Sequence, residues 1–475
     1  MFNHHKNMDY SKFDIIPLAS KAWHHKKSKG DYFTILPTTQ HPAFIAPNVE
    51  NIPCTFEETK LSSVVIDQLK KINAEFPTTI QAKSIPEILK GKSTLIAAET
   101  GCGKTLAYLA PIVDNILKWK DKLPIQYNSP LAVILLPTRE LAIQVGNVAN
   151  ELCTALNIKC ITLLGGKLKK LLLSPLYEKT DILVCSLGAF SKLLTHNTYT
   201  MKYCKHFVLD EADTLLDDTF NDKVKYIIRK SKLNFGTVLP TTPNKTQLYL
   251  ISATMPTNVD TLLEHIIRED GLEQISTNYL HKIQSHIPQK FIRVSPSQKS
   301  EELLKIVKSN MKKSIPTMIF SNRTKTSNFV NLFLNENGIK SIRLNKQMEQ
   351  QERLEQYQKF RDGIVNVISC TDIASRGLDS TRVKHIINYE FPMFVSDYIH
   401  RCGRTGRIGH DENCLVTSFI SQKKELPLLH SIEKSARLSG TLENVNNNKI
   451  RLLRERVIRK DPVEEFLSKE FDVSQ

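Results

Sequence analysis

Apolar and polar positions follow two alternating periods along most of the chain. Short continuous apolar runs recur at STLIAAE (93–99), LAVILLP (131–137), KCITLLGG (159–166), DILVCS (181–186), HFVLDEA (206–212) and QLYLISAT (247–254). Runs of this length with no polar interruption predict strands of a parallel sheet covered on both faces. Between them, LAYLAPIVDNILKW (106–119) and RELAIQVGNVANELCTAL (139–156) carry the three-to-four spacing of amphipathic helices. The alternation predicts a doubly wound α/β unit. KSKLNFGTVLPTTPNK (230–245) reads as a loop inserted before the last strand.

The pattern then starts again. KFIRVS (290–295), PTMIFS (316–321), KSIRLN (340–345), VNVISCT (365–371), VKHIINY (383–389) and NCLVTSFI (413–420) are six more strand candidates with helical stretches between them. The expected organisation is a basic N-terminal extension over 1–50, a first α/β domain over 51–275 and a hinge-like linker over 276–289. A second α/β domain follows over 290–435, and a basic tail over 436–475. Within that tail, KIRLLRERVIRK (449–460) is a candidate basic amphipathic helix, with a solvated helix face as the plainer reading.

Composition narrows the class. Hydrophobic residues are 41% and charged residues 24% of 475, as in ordinary globular proteins. No apolar run approaches the ~18 residues of a membrane span, so a soluble protein without one is expected. The net charge of +16 attracts polyanions such as nucleic acid or ribosomal particles. Nine cysteines include no CxxC pair, against both a disulfide framework and a cysteine-rich zinc site. The first 50 residues contain lysine and histidine but no arginine, and the first arginine is Arg139. A targeting role and a basic arm touching RNA both remain open for KAWHHKKSKG (21–30). The pairs His4–His5 and His24–His25 lack a second ligand pair at zinc spacing and read as solvated.

The chemistry concentrates where strands end. In AETGCGKT (98–105), the backbone from Thr100 to Gly103 can curl around phosphate oxygens. Gly101 and Gly103 let N–H groups point inward. Cys102 is a small residue tolerated in that loop, not a nucleophile. The following helix adds its positive dipole end, Lys104 a charge for the β- and γ-phosphates, and Thr105 a hydroxyl for Mg²⁺. HFVLDEADTLLD (206–217) supplies the carboxylates. Asp210 ends a strand and can hold Mg²⁺ through water, while Glu211 can polarise an attacking water. Asp213 is placed to couple to neighbouring loops.

Read in order, the motifs resemble those of the DEAD-box RNA helicases from about Thr55 to Gln422. After the P-loop and DEAD come PTRELAIQ (137–144), Gly165–Gly166, SAT (252–254), MIFSN (318–322), QQER (350–353), CTDIASRGLD (370–379) and YIHRCGRTGR (398–407). The resemblance implies two RecA-like domains of parallel sheets, with ATP and Mg²⁺ in the cleft and RNA as partner, in a monomer. It implies that 54–82 is the Q motif, with Phe56 its isolated aromatic and Gln81 its adenine reader. Thr138, Arg139, Gly166, Thr371, Asp372, Arg376 and Gly377 would face RNA. Asp379 would meet ribose, and Ser252, Thr254 and His400 would couple the parts. Arg404 and Arg407, three apart on a helical turn, would reach the γ-phosphate as fingers on closure.

The pattern departs from the family at Ser186–Ala189, which reads SLGA for T-P-G-R. Asn73–Ala74 stands for Gly–Phe, Phe76 for Lys, and LNKQM (344–348) lacks His–Gly. These positions bear on substrate grip. DEADTLLDDTF and TDIASRGLDSTRV look most like the mitochondrial members that aid large-ribosomal-subunit assembly. A nucleolar or cytosolic ribosome-assembly helicase, an ATP-gated RNA clamp that turns over poorly, and a DNA translocase are the rival readings.

Overall fold

Two seven-stranded sheets organise the computed structural model. It describes residues 13, 16–37, 52–120, 127–164, 179–216, 220–238, 245–254, 271–278, 280–284, 286–372, 382–407, 414–438 and 440–442. In chain order the strands are β1 (Tyr32–Ile35), β2 (Thr94–Ala97), β3 (Ala132–Leu136), β4 (Cys160–Leu163), β5 (Ile182–Ser186), β6 (His206–Asp210) and β7 (Gln247–Ser252). They continue as β8 (Glu273–Ser276), β9 (Gln289–Arg293), β10 (Thr317–Ser321), β11 (Ser341–Leu344), β12 (Val367–Thr371), β13 (His385–Asn388) and β14 (Leu415–Ile420). All twelve apolar runs contain a strand. The edge strands β1 and β8 were not expected.

The first sheet runs β4-β5-β3-β6-β7-β2-β8, all parallel. Its five inner strands are buried at every position because both faces are covered. Along β3, Ala132, Ile134 and Leu136 face one core with the helices Ser63–Lys71, Thr79–Leu89, Lys104–Trp119 and Arg139–Cys153. Val133 and Leu135 face the other, against Leu187–Thr195 and Asn221–Ser231. The second sheet runs β1-β9-β14-β13-β10-β12-β11. It is parallel except for β1, which pairs antiparallel with β9, Phe33 opposite Phe291. Met318, Phe320 and Ile368 face one core of this lobe, and Ile319, Val367 and Ile387 the other.

The N-terminal segment corrects the picture of a basic arm. Over 17–36 it forms a strap on the second lobe. Trp23 is buried and lies 5.4 Å from Phe33, which stacks on Phe291 at 5.0 Å. Glu433, buried on the helix Leu426–Leu438, accepts hydrogen bonds from Ala19 N (2.7 Å) and from Ser20 N (3.0 Å), and pairs with Arg437 at 2.6 Å. The basic side chains of this stretch stay outside while its apolar ones pack, which is why charge alone misrepresented it.

The linker is also anchored. Leu442 N donates to His281 O at 2.8 Å, and His286 Nε2 meets Gly406 O at 2.9 Å. The candidate helix 449–460 lies outside the described residues. Among the described residues, no helix is long and apolar enough to cross a membrane.

Candidate active site

β2 ends at Ala97 and the chain turns through 98–103 into the helix Lys104–Trp119. Gly101 (φ +82°) and Gly103 (φ +88°) are left-handed, a conformation that a Cβ disfavours. Lys104 Nζ donates to Ala98 O and Glu99 O, both at 2.7 Å, and so lies over the mouth of the loop. Thr105 follows in the first turn. Cys102 is enclosed, donates Sγ to Glu99 O at 2.9 Å, and burial pushes its thiol up to about 12. A thiol held neutral in this way is no nucleophile at neutral pH.

The carboxylates stand beside this loop, because β6, like β2, delivers its C-terminal end to the same edge of the sheet. Asp210 is buried, and its carboxyl is raised to about 6 by burial first and then by the charge of Glu211. Tyr108 Oη donates to Asp210 Oδ2 at 2.9 Å, and Glu211 N donates to Oδ1 at 2.8 Å. Glu211 is left-handed (φ +52°), a strained conformation for a non-glycine residue. Its Oε2 is buried without a hydrogen-bond partner. The glycine cradle, the orphaned carboxylate oxygen and the hard oxygen donors Asp210 and Thr105 fit a nucleotide phosphate with a divalent cation.

The second lobe closes on this site. The helix Val395–Cys402 ends at Gly403, so Arg404 and Arg407 lie in the turn beyond it, not on a helix. Their shared side comes from turn bonds, Arg404 N to Arg401 O at 3.1 Å and Thr405 N to Cys402 O at 3.2 Å. Arg404 is buried, its Nε on His400 O at 3.3 Å; Arg407 Nε is on Gly403 O at 3.2 Å. At two places the glycine backbone of one lobe lies against a side chain of the other. A Cβ on Gly101 would come within 2.8 Å of Arg407 Cγ, and one on Gly403 within 1.7 Å of Thr100 Oγ1.

Polar contacts bridge the same seam. Asp213 Oδ2 accepts from Thr254 Oγ1 at 2.9 Å and lies 3.3 Å from His400 Nε2 of the other lobe. Ser252 Oγ accepts from Thr254 N at 3.1 Å, which holds that hydroxyl toward Asp213. Arg353, of QQER, pairs with Glu140, of PTRE, across the lobes. Sequence reasoning quoted both motifs but assigned neither residue a role.

Three of the expected site residues make protein contacts that the sequence did not announce. Phe56 is 1% exposed and packs in the first core, so its ring offers no open face to an adenine. Both ends of the Gln81 amide are engaged: Oε1 accepts from Thr78 N (2.9 Å), completing a capping box, and Nε2 donates to Gly103 O (3.0 Å). Thr78 Oγ1 adds a bond to Cys102 O at 2.8 Å. Gln81 thus clasps the phosphate loop while one amide N–H and one oxygen lone pair stay uncommitted. Asp372 forms a two-pronged pair with Arg401, Nε to Oδ1 at 2.6 Å and Nη2 to Oδ2 at 2.7 Å. Arg401 also donates to Glu390 O and Asn322 Oδ1, so this buried guanidinium, absent from the sequence-level assignment, knits three loops of the second lobe.

Of the expected RNA-facing residues, Thr138 caps the helix Arg139–Cys153 by accepting from Leu141 N at 3.3 Å. Arg139 opens that helix, half-buried. Thr371 ends β12. Gly166, Arg376, Gly377 and Asp379 lie outside the described residues. At SLGA, Ser186 precedes the helix Leu187–Thr195, and a Cβ on Gly188 would meet nothing within 4 Å, so this strand end is open on that side.

Comparison with known proteins agrees with this layout. The family model described as DEAD/DEAH box helicase matches residues 78–262, and that of the helicase conserved C-terminal domain matches 298–409. The chain is 36% identical to the probable ATP-dependent RNA helicase DDX28 of Mus musculus, over 93% of this chain and 83% of the relative. It is 33% identical to the ATP-dependent RNA helicase drs1 of Neurospora crassa, over 80% of this chain and 45% of that relative. Among solved structures, S. cerevisiae Dbp5 bound to RNA and ADP BeF3 aligns with TM-score 0.66 at 24% identity, covering 80% of this chain and 93% of the other. Mss116p bound to ssRNA and AMP-PNP aligns with TM-score 0.69, also at 24% identity, covering 82% of this chain and 79% of the other. Both share the fold.

Proposed function

Because the chain belongs to the DEAD-box family of ATP-dependent RNA helicases, we propose that it hydrolyses ATP only when its two lobes are closed on RNA. The seam carries this reading: Lys104, Asp210 and Glu211 stand on one lobe, Arg404 and Arg407 on the other, joined by Asp213 and His400. Lys104 takes the β- and γ-phosphates of the substrate. Thr105 and Asp210 would hold Mg²⁺, which when bound neutralises phosphate charge. Glu211 orients the attacking water and accepts its proton on the unpartnered Oε2. The two arginines stabilise charge developing on the γ-phosphate, a contribution on the order of 10³-fold or more.

RNA laid over both lobes favours the closed state, so ATP and RNA each raise the other's affinity. Thr138, Arg139 and Thr371 stand at strand ends on the cleft side, suited to phosphates and 2′-hydroxyls over base edges. Closure would part a short duplex locally or remodel a ribonucleoprotein.

The assigned place is ribosome assembly, in the mitochondrion. The resemblance of DEADTLLDDTF and TDIASRGLDSTRV supports it. A nucleolar or cytosolic site is the second reading. Any leader removed on import must end before the strap, because residues 19–35 are part of the second lobe.

The purified Lys104→Ala and Glu211→Gln proteins should each lose RNA-stimulated ATP hydrolysis, Glu211→Gln by about 10²–10⁴-fold with ATP binding retained. Undiminished turnover in both refutes the site. Crosslinking to RNA in cells, followed by sequencing, separates mitochondrial from nucleolar rRNA.

A further inference from the structure

The first sheet has a second recess, at the opposite edge from the cleft. A cavity of about 540 Å³ opens between the segment that leads into β6 and the end of the helix Asn221–Ser231. Thr246, just before β7, also lines it. Asp210 and Ser252, at the far ends of the same strands, belong to the cleft, so β6 separates the two sites by its full length of about 15 Å.

The lining is charged with one sign. Lys202, Lys205, Lys230 and Lys232 line the cavity, and among the described residues no carboxylate does. Lys202, Lys230 and Lys232 are exposed and form no ion pair among the described residues. Lys205 is half-buried, and burial holds its ammonium below the ordinary lysine range. The three exposed ammonium groups around one concavity repel one another, and a multiply charged anion relieves that repulsion. The rest of the lining is different: Leu194, Tyr199, Met201 and Leu233 are apolar, and Asn197 and Asn234 add carboxamide residues. Carboxamides carry both donor and acceptor, as the edge of a nucleobase requires.

We propose that this recess is a second binding site, which takes a phosphorylated nucleoside unit with its phosphate on the lysine rim and its base on the Tyr199–Met201 wall. The unit comes either from an RNA chain that continues past the cleft or from a free nucleotide. Neither source passes through the hydrolytic residues, so the site stands apart from the catalytic reading. An added RNA contact here would give a helicase of low base specificity a second grip on a folded RNA.

Met201 supplies a local reporter. In full-length protein with isotope-labelled methionine methyl groups, GMP should shift the Met201 resonance, assigned by Met201→Leu. Lys230→Gln/Lys232→Gln, both exposed positions, should raise the Kd read from that shift roughly tenfold. If a long single-stranded RNA also shifts Met201, and the variant lowers the salt slope of RNA binding by about 1.4, the source is RNA. If GMP shifts Met201 and RNA does not, the source is a free nucleotide. The proposal fails if millimolar GMP and RNA both leave Met201 unmoved, if the variant binds GMP as tightly as the parent, or if inorganic phosphate alone reproduces the full effect.

Discussion

Gly403→Ala puts a single methyl group between the lobes. Gly403 has φ −68°, so alanine adopts its backbone without strain and the second lobe should fold normally. The new Cβ would lie 1.7 Å from Thr100 Oγ1, 2.5 Å from its Cβ and 2.9 Å from its Cγ2. Rotating Thr100 moves Oγ1 and Cγ2 but not Cβ, so no rotamer removes the clash. Carbon atoms need ~3.5 Å, so the seam must open by about 1 Å at this point. Arg404 and Arg407 lie one and four residues further on, and would be displaced with it. A misplacement of about 1 Å in such a site costs on the order of 10²-fold.

The assay is RNA-stimulated ATP hydrolysis at saturating RNA, with nucleotide affinity and thermal unfolding measured alongside. The expected result is kcat lower by about 10²-fold, with nucleotide binding to the phosphate loop and Tm little changed. Thr100→Gly removes the opposing Cβ and keeps the backbone N–H, so Thr100→Gly/Gly403→Ala should recover part of the loss. Full activity of Gly403→Ala, or no gain in the double variant, would refute closure through this seam.

Asp372→Asn leaves the buried Arg401 without its ionic partner. Breaking a buried pair costs about 3–5 kcal/mol, here near the lower figure because Asp372 is 24% exposed. Calorimetry should show the second lobe melting roughly 6–12 °C lower, and a shift under about 2 °C contradicts the assignment. One histidine in each lobe predicts a pH dependence. Burial first, then Lys205 for His206 and Lys290 for His385, pushes each imidazole down to about 3. Both are neutral in the fold, while the unfolded chain takes up protons below about 6.5. The unfolded state thus binds more protons, and stability, complete above pH 6.5, falls as pH drops toward 3. Each lobe should lose about 1.4 kcal/mol per pH unit in that window, and denaturant midpoints that stay level from neutral to mildly acidic pH would rule this out.

The sequence carried the parts of the fold that are local. Twelve strands were readable because a strand covered on both faces must be apolar at every position, as AVILL in β3 is. Of the four edge strands, β4 and β11 were readable and β1 and β8 were not. In β8 only Ile275 of four residues is buried, and β1 finds its partner, β9, across the whole first lobe. The phosphate loop and the carboxylates of β6 were legible because their chemistry needs adjacent residues. Asp372 with Arg401, and Glu140 with Arg353, are pairs made only by folding, so neither partner announces the other. Gln81 is different: Thr78 and Gln81 have the spacing of a capping box, so that contact is legible in the sequence. Phe56 shows the converse, an aromatic assigned outward that hydrophobic burial draws inward.

The strap makes the ATP-binding lobe an insertion within the other one, since the chain both enters it from and returns it to the arginine-bearing lobe. The stretch from Ile35 to Ile52 reaches at most about 60 Å, at ~3.4 Å per residue. However far the halves swing, two leashes bound the volume they must search before re-engaging, and the effective concentration of one for the other stays high. Cutting the chain between 37 and 52 would leave every side chain of the cleft in place and one leash intact. Such a nicked molecule should spend longer apart between turnovers.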